Sequence, residues 1–260
     1  MHFRLPKPLH GWRQFSGEIG IIVVGVLIAL GAEQVAEAVH WRFQTKQLRE
    51  SLHREIKDDL TNAAYDVMVS PCIRTRIQRL DRELSNSGSS WPGDAAEDAE
   101  DVRWQALPVA IKVSDVEGFY TSGHWETALA SGALAHMPQA ERNGLSYTYR
   151  AIAGLSSYAS EEDKIAARLQ PLAMPQRLSD DQRMAFEAEL GSLDRVNMLL
   201  TVYSRKTLEG TRRGGIVPRP EDMNGIYQQA RKDYGSCATR LGSTSDALSS
   251  GNNASKPERE

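Results

Sequence analysis

Two Glu-x-x-His pairs, Glu37/His40 and Glu50/His53, come nearest of any residues in this sequence to metal chemistry. A carboxylate and an imidazole three positions apart share one helix face, the half-site used by di-metal helical bundles. Such a centre needs the two pairs on facing helices, with two further glutamates. Both pairs here fall on one helical run, roughly 20 Å apart along its axis. They read as solvated or interfacial side chains, and no metal ligand is assigned.

The segment Gly118 to Glu126 (G-F-Y-T-S-G-H-W-E) is the richest in polar and aromatic types. His124 and Glu126 could act as an acid–base pair with Ser122 as nucleophile, which is hydrolase chemistry. There is no G-x-S-x-G elbow, however, and helix residues two apart point away from each other. The better reading makes Ser122 a helix cap and Trp125 a core anchor. The acidic run Asp94, Glu97, Asp98, Glu100 and Asp101 lacks the alternating ligands, central glycine and closing glutamate of a calcium loop. Arg74, Arg76, Arg79 and Arg82 form a basic cluster that reads as the exposed side of a helix. With no phosphate-cradling glycine loop, zinc spacing or nucleotide fingerprint, no catalytic or cofactor-binding residue is assigned and no cofactor is expected. A periplasmic, hydrolase-like enzyme around His124 and Glu126 is kept as the alternative function.

The elements that would position these residues begin with Ile19 to Ala32, fourteen residues without a charge. Alone they rise only about 21 Å as a helix, short of the roughly 30 Å hydrocarbon core. Phe15, Val35 and Val39 extend the apolar character, so the spanning helix is placed at residues 15–39 behind a basic N-terminal tail, 1–14. Trp12 and Trp41 bracket it about 43 Å apart, matching the two interfaces where tryptophan belts settle. Glu18 and Glu33 then lie near the hydrocarbon edges, where a carboxylate costs less than at the centre. The competing reading is a secretory signal cleaved at Ala29-Leu30-Gly31 or at Ala36-Glu37-Ala38. Glu33 and Glu37, and the helical periodicity that runs on past Val39, favour a retained anchor. Gly25, Ala29, Ala32 and Ala36 follow i, i+4, i+7, i+11, a small-residue stripe suited to pairing two membrane helices into a homodimer.

Gly17-Glu18-Ile19, followed by Val23-Val24-Gly25-Val26-Leu27-Ile28-Ala29-Leu30, resembles the opening of an uncharacterised bacterial family of single-span membrane-anchored proteins with a domain of unknown function. The likeness covers about thirty residues. Gly31-Ala32-Glu33-Gln34 replaces the polar N-N-W-N-like stretch usual in that family. The resemblance implies an uncleaved anchor and brings no activity or catalytic residues.

Lysines and arginines balance across the span: Arg4, Lys7 and Arg13 before it, Arg42, Lys46 and Arg49 after it. A short N-terminus of this kind favours a cytoplasmic start and a periplasmic domain in the bacterial inner membrane. The only cysteines, Cys72 and Cys237, could then form one disulfide, whose long loop would contribute on the order of 5 kcal/mol. A pair of free buried thiols in a cytoplasmic domain is the alternative.

The remainder reads as an irregular helical bundle over 40–241 and a disordered tail over 242–260, so the fold class is all-α. The stripe Leu48, Leu52, Ile56, Leu60, Ala63 and Val67 continues the anchor outward. Ser70-Pro71 restarts a helix through Leu84, and Ser85 to Gly93 forms a loop. Val109, Ile111 and Val113 alternate as a short strand or linker. Ser122 caps a short helix ending near Gly132, and Pro138 opens one to Tyr158. Ser160-Glu161-Glu162-Asp163 caps the next, and Ser179-Asp180-Asp181-Gln182 opens a long helix along Met184, Leu190, Leu193, Leu199 and Tyr203. Pro220 starts the last, to about Cys237. A net charge of −3 argues against a nucleic-acid partner. The expected partners are the bilayer, a second copy and an unidentified protein. The expected role is a structural or interaction module of the envelope.

Overall fold

The computed structural model describes residues 12–93, 120–213 and 215–241, with side chains from Ser16 onward and without that of Arg213. Five α-helices are present among these residues: α1 (Trp12–Asn86), α2 (Gly123–Ser131), α3 (Gln139–Leu169), α4 (Asp180–Arg213) and α5 (Pro220–Tyr234). The fold is all-α. The N-terminal tail before Trp12, the acidic run of 94–101, the alternating Val109–Val113 segment and the tail 242–260 lie outside the described residues.

At 1.5 Å per residue, α1 is about 110 Å long. Every side chain from Ser16 to His40 is exposed, and an 18-residue window there has a mean hydropathy of 2.2. This part is long and apolar enough to cross a membrane. From Thr45 onward the same helix is progressively enclosed, and Leu52, Ile56, Leu60 and Ala63 are at most 1% exposed. No break separates the two regimes.

The bundle forms around this helix. α4 packs along both α1 and α3, and α5 lies on α1. The lower core, nearer the exposed rod, joins Leu52, Ile56 and Leu60 to Leu145, Tyr149, Ile152, Leu155 and Leu200. The upper core joins Met68, Ile73, Ile77, Leu80 and Leu84 to Ile165, Leu169, Leu190 and Leu193.

The helix expected to restart at Pro71 does not; α1 runs through it. An interior proline costs about 3 kcal/mol. Ile73, Ile77, Leu80 and Leu84 beyond it are at most 5% exposed, and each buried side chain returns roughly 1.5–3 kcal/mol. Asn197 of α4 also donates to the Ser70 carbonyl at 3.3 Å, fastening this turn to α4. The cap expected at Ser160 is likewise overruled, because α3 continues to Leu169. A cap contributes only about 1 kcal/mol, less than burying Ile165 and Leu169. At Ser179 the capping box forms: Gln182 N–H donates to Ser179 Oγ at 3.2 Å and Ser179 N–H to Gln182 Oε1 at 2.9 Å.

The expected loop Ser85–Gly93 contains more than a turn. Strand β1 (Ser90–Trp91) pairs antiparallel with β2 (Gln176–Arg177). Trp91 is buried and donates its indole N–H to the Leu172 carbonyl at 2.6 Å. Gly93, at φ +88°, lets the chain pass the backbone of Ala173–Pro175, which a Cβ would meet at 2.9–3.0 Å.

α5 and the segment that follows it are tied to α1 at three points. Cys72 is bonded to Cys237 across a separation of 165 residues. The Tyr65 hydroxyl donates to Asp233 at 2.9 Å, and Thr239 N–H to the Met68 carbonyl at 3.0 Å.

Pro71 is exposed, so Pro71→Ala removes no buried surface and restores a helix donor. It should raise stability by about 1–2 kcal/mol in denaturant titrations; a loss would mean that the backbone geometry proline imposes here is needed for packing. Cys237→Ser should lower stability by about 2–5 kcal/mol and speed amide exchange over residues 220–237 before the rest of the bundle.

Candidate functional site: a buried carboxylate seam above an exposed rod

Glu55, Asp59, Asn62 and Asp66 recur at i, i+4, i+7, i+11 on α1, and the three acids stand three positions after Leu52, Ile56 and Ala63 of the apolar stripe. Such a row of polar residues ordinarily faces water. Here Glu55 is 6% and Asp59 2% exposed, and Asp66 is partly buried. From α3, Glu162 joins them at 5% exposure.

Three of these carboxylates hold the chain that leads into α2. Glu55 Oε1 accepts from His124 N–H at 3.1 Å, and Asp59 Oδ1 from Thr121 N–H at 3.0 Å. Asp66 accepts from the Tyr120 hydroxyl at 2.5 Å, with Ser204 of α4 at 3.5 Å on the same oxygen. Glu55 also accepts from the Tyr149 hydroxyl of α3 at 2.6 Å, and Trp125 stacks on that phenol ring at 4.8 Å. One seam on α1 therefore fastens α2, α3 and α4 through polar bonds.

The seam has more acceptors than donors. Asp59 Oδ2 and Glu162 Oε1 are buried without a hydrogen-bond partner among the described residues. No Lys or Arg of the described residues forms an ion pair with any of the four acids. Burial pushes the Asp59 and Asp66 carboxyls up to about 7, and Glu162, with Asp66 and Asp163 nearby, up to about 8. The arrangement can store protons near neutral pH. Among the described residues no group of three or more His, Cys, Asp or Glu side chains converges as a metal site.

Sequence reading missed this seam, since a row of acids looks solvated. The usable signal is its offset of three from the apolar stripe, which puts both on adjacent strips of one face. α4 shows the same effect. Its buried face runs Leu190, Leu193, Asn197, Leu200, Ser204, Thr207 and Thr211, whereas Met184 and Tyr203, expected on the core stripe, are exposed.

The other expected residues are placed as follows. His124 and Glu126 both face solvent and do not pair; Glu126 instead accepts from the Ser122 hydroxyl at 2.8 Å. Ser122 stands at the N-cap of α2 without a side-chain cap bond, a correction to its expected role. Glu37, His40 and Glu50 are exposed, and His53 is half-buried. Arg74 is not a free basic side chain, because it pairs with Asp194 of α4 at 3.0 Å, and Arg79 pairs with Glu83 at 3.3 Å.

Gly25, Ala29, Ala32 and Ala36 occupy one exposed stripe of α1, and a Cβ on Gly25 would meet no atom within 4 Å. The Trp12 side chain lies outside the described residues. Trp41 marks the point where α1 enters the bundle. Its ring stacks on His136 at 3.7 Å and 11°, and its indole N–H donates to Glu37 at 3.2 Å. Phe43 beside it is 63% exposed.

No family model, curated protein or solved structure matches this chain.

The seam predicts an inverted pH response. Asp59, Asp66 and Glu162 stay neutral in the folded chain well above the values of about 4 they have when unfolded. Their contribution to stability is therefore complete below pH 4 and is lost as pH rises through 7 and then 8. Glu162→Gln should flatten the upper part of this profile and raise stability at pH 9 by about 2 kcal/mol, or about 4–8 °C in Tm. A variant whose Tm profile between pH 6 and 9 superimposes on that of the parent chain would remove Glu162 from the seam's titration.

Proposed function

We propose that this chain is a membrane-tethered helical module of the bacterial cell envelope, a structural or protein-interaction part. The observation that carries this reading is the continuity of α1, in which 25 exposed residues from Ser16 to His40 pass without interruption into the central core helix. An exposed apolar rod of that length is costly in water and stable in lipid. With no linker between rod and bundle, the domain stands at a set height and tilt above the bilayer. The Trp41–His136 stack, with Phe43 exposed beside it, fits an interfacial collar there.

In this reading the N-terminus is cytoplasmic and the bundle periplasmic, in the inner membrane. The Cys72–Cys237 bond supports an oxidising compartment, since such bonds are rare in a reducing one. The resemblance of residues 17–30 to the opening of an uncharacterised membrane-anchored family, which implies an uncleaved anchor, supports retention of the rod. Gly25, Ala29, Ala32 and Ala36 would pair two rods into a homodimer, bringing two bundles side by side for a protein partner.

The test uses the full chain in intact cells. It should stay with membranes after carbonate washing. An impermeant thiol reagent should label Cys72 and Cys237 only after reduction. Recovery in the soluble fraction defeats the tether, and labelling that needs lysis but no reductant reverses the topology. For pairing, Ala29→Cys should cross-link in oxidised membranes at least fivefold more than Leu27→Cys, on another face; equal yields would reject the stripe.

A further inference from the structure

Between α3 and the C-terminal half of α4 lies a half-open cleft of about 590 Å³. That is within the roughly 300–1,000 Å³ of small-molecule sites. Its walls are largely small or apolar, with Gly144, Ala151 and Gly154 from α3, Gly210 from α4 and Ile216 beyond, and they also carry threonine hydroxyls and the imidazole of His53 from α1. A Cβ on Gly144, Gly154 or Gly210 would meet no atom within 4 Å. Glycine within a helix weakens it relative to alanine, and here no neighbouring atom demands the missing methyl. The effect of all three is to keep the cleft wide.

The rim is charged and uncompensated. Arg150 of α3 and Lys206 of α4 both line the cleft and are exposed, and neither forms an ion pair among the described residues. Lys206 stands 5.8 Å over the Tyr203 ring, which also lines the cleft. The acid in the lining, Glu141, is already held by Nε and Nη2 of Arg49 at 2.5 and 2.9 Å. The cleft thus offers an apolar trough with two unanswered positive charges.

Its lower end is close to the rod. Arg49, which holds Glu141, is eight residues past Trp41 on α1, roughly 12 Å along the axis. From Ala140 to Gly154 the α3 wall runs about 21 Å, long enough for an extended acyl chain. We infer that this cleft binds a long-chain anion drawn from the bilayer, its acyl chain lying between α3 and α4 and its carboxylate or phosphate head meeting Arg150 and Lys206. The apolar walls exclude a fully hydrated ion, and the paired cations discriminate against an uncharged chain. This rests on the tether reading only for the source of the ligand; the site itself does not depend on it.

The test reconstitutes the full-length chain in phosphatidylcholine vesicles containing a photoactivatable palmitate analogue, and maps the adducts by mass spectrometry. Adducts are expected on residues 139–154 and 203–211. Palmitate should displace the probe at least tenfold better than hexadecanol, and inorganic phosphate should not displace it. Arg150→Gln with Lys206→Gln, both exposed positions, should cut adduct yield about tenfold with Tm unchanged. Gly154→Leu should abolish it, and Arg205→Gln should leave it intact. Adducts confined to 15–39, equal competition by hexadecanol, full competition by inorganic phosphate, or an unaltered yield in the double variant would each overturn the inference. Flotation of the chain with the vesicles is scored in the same samples, so a failed tether is told apart from an empty cleft.

Discussion

An α-helix satisfies its own backbone hydrogen bonds wherever it runs, and this chain uses that property over 75 consecutive residues. The ladder of α1 is indifferent to whether its side chains meet lipid, headgroups or a protein core. One helix can therefore be an exposed apolar rod below Trp41 and the axis of a bundle above Thr45. Everything else is arranged around that continuity. α3 and α4 close on its upper half, α2 is hung from its acids, and α5 is bolted to it through Cys72.

The second constraint is the cost of enclosing acids. Glu55, Asp59 and Asp66 are enclosed with hydroxyls and backbone N–H groups as their donors, and burial disfavours charge on Asp59, Asp66 and Glu162. Glu55, Asp59 and Asp66 accept directional bonds that apolar side chains cannot. Those bonds give Tyr120, Thr121 and His124 one place to go. A wholly apolar strip would have held the same segment with less directional preference, because hydrophobic contact has no preferred angle.

Much of the architecture was legible as pattern. The apolar stripe from Leu48 to Val67, the capping box at Ser179 and the stop at Gly132 depend on local spacing and cap chemistry, and each lies where its residues place it. The breaks expected at Pro71 and Ser160 are absent because a local signal of about 1–3 kcal/mol was outweighed by buried side chains whose partners lie over a hundred residues away or on other helices. The short Trp91 strand gave no periodicity to read. The carboxylate seam was illegible for another reason: burial of an acid is decided by which donors reach it, and Tyr120, Tyr149 and Ser204 come from three separate segments.

Sequence alone determined the helical class and the unbroken apolar run that makes a membrane-length rod, since both follow from side-chain polarity at a local period. Only the tertiary structure decided which polar residues lie inside and where the cleft of Gly144, Gly154 and Gly210 opens. It also decided that the basic side chain of Arg74 meets an acid, while those of Arg150 and Lys206 form no ion pair among the described residues. These outcomes depend on distances between segments far apart in the chain, and no local pattern encodes a distance of that kind.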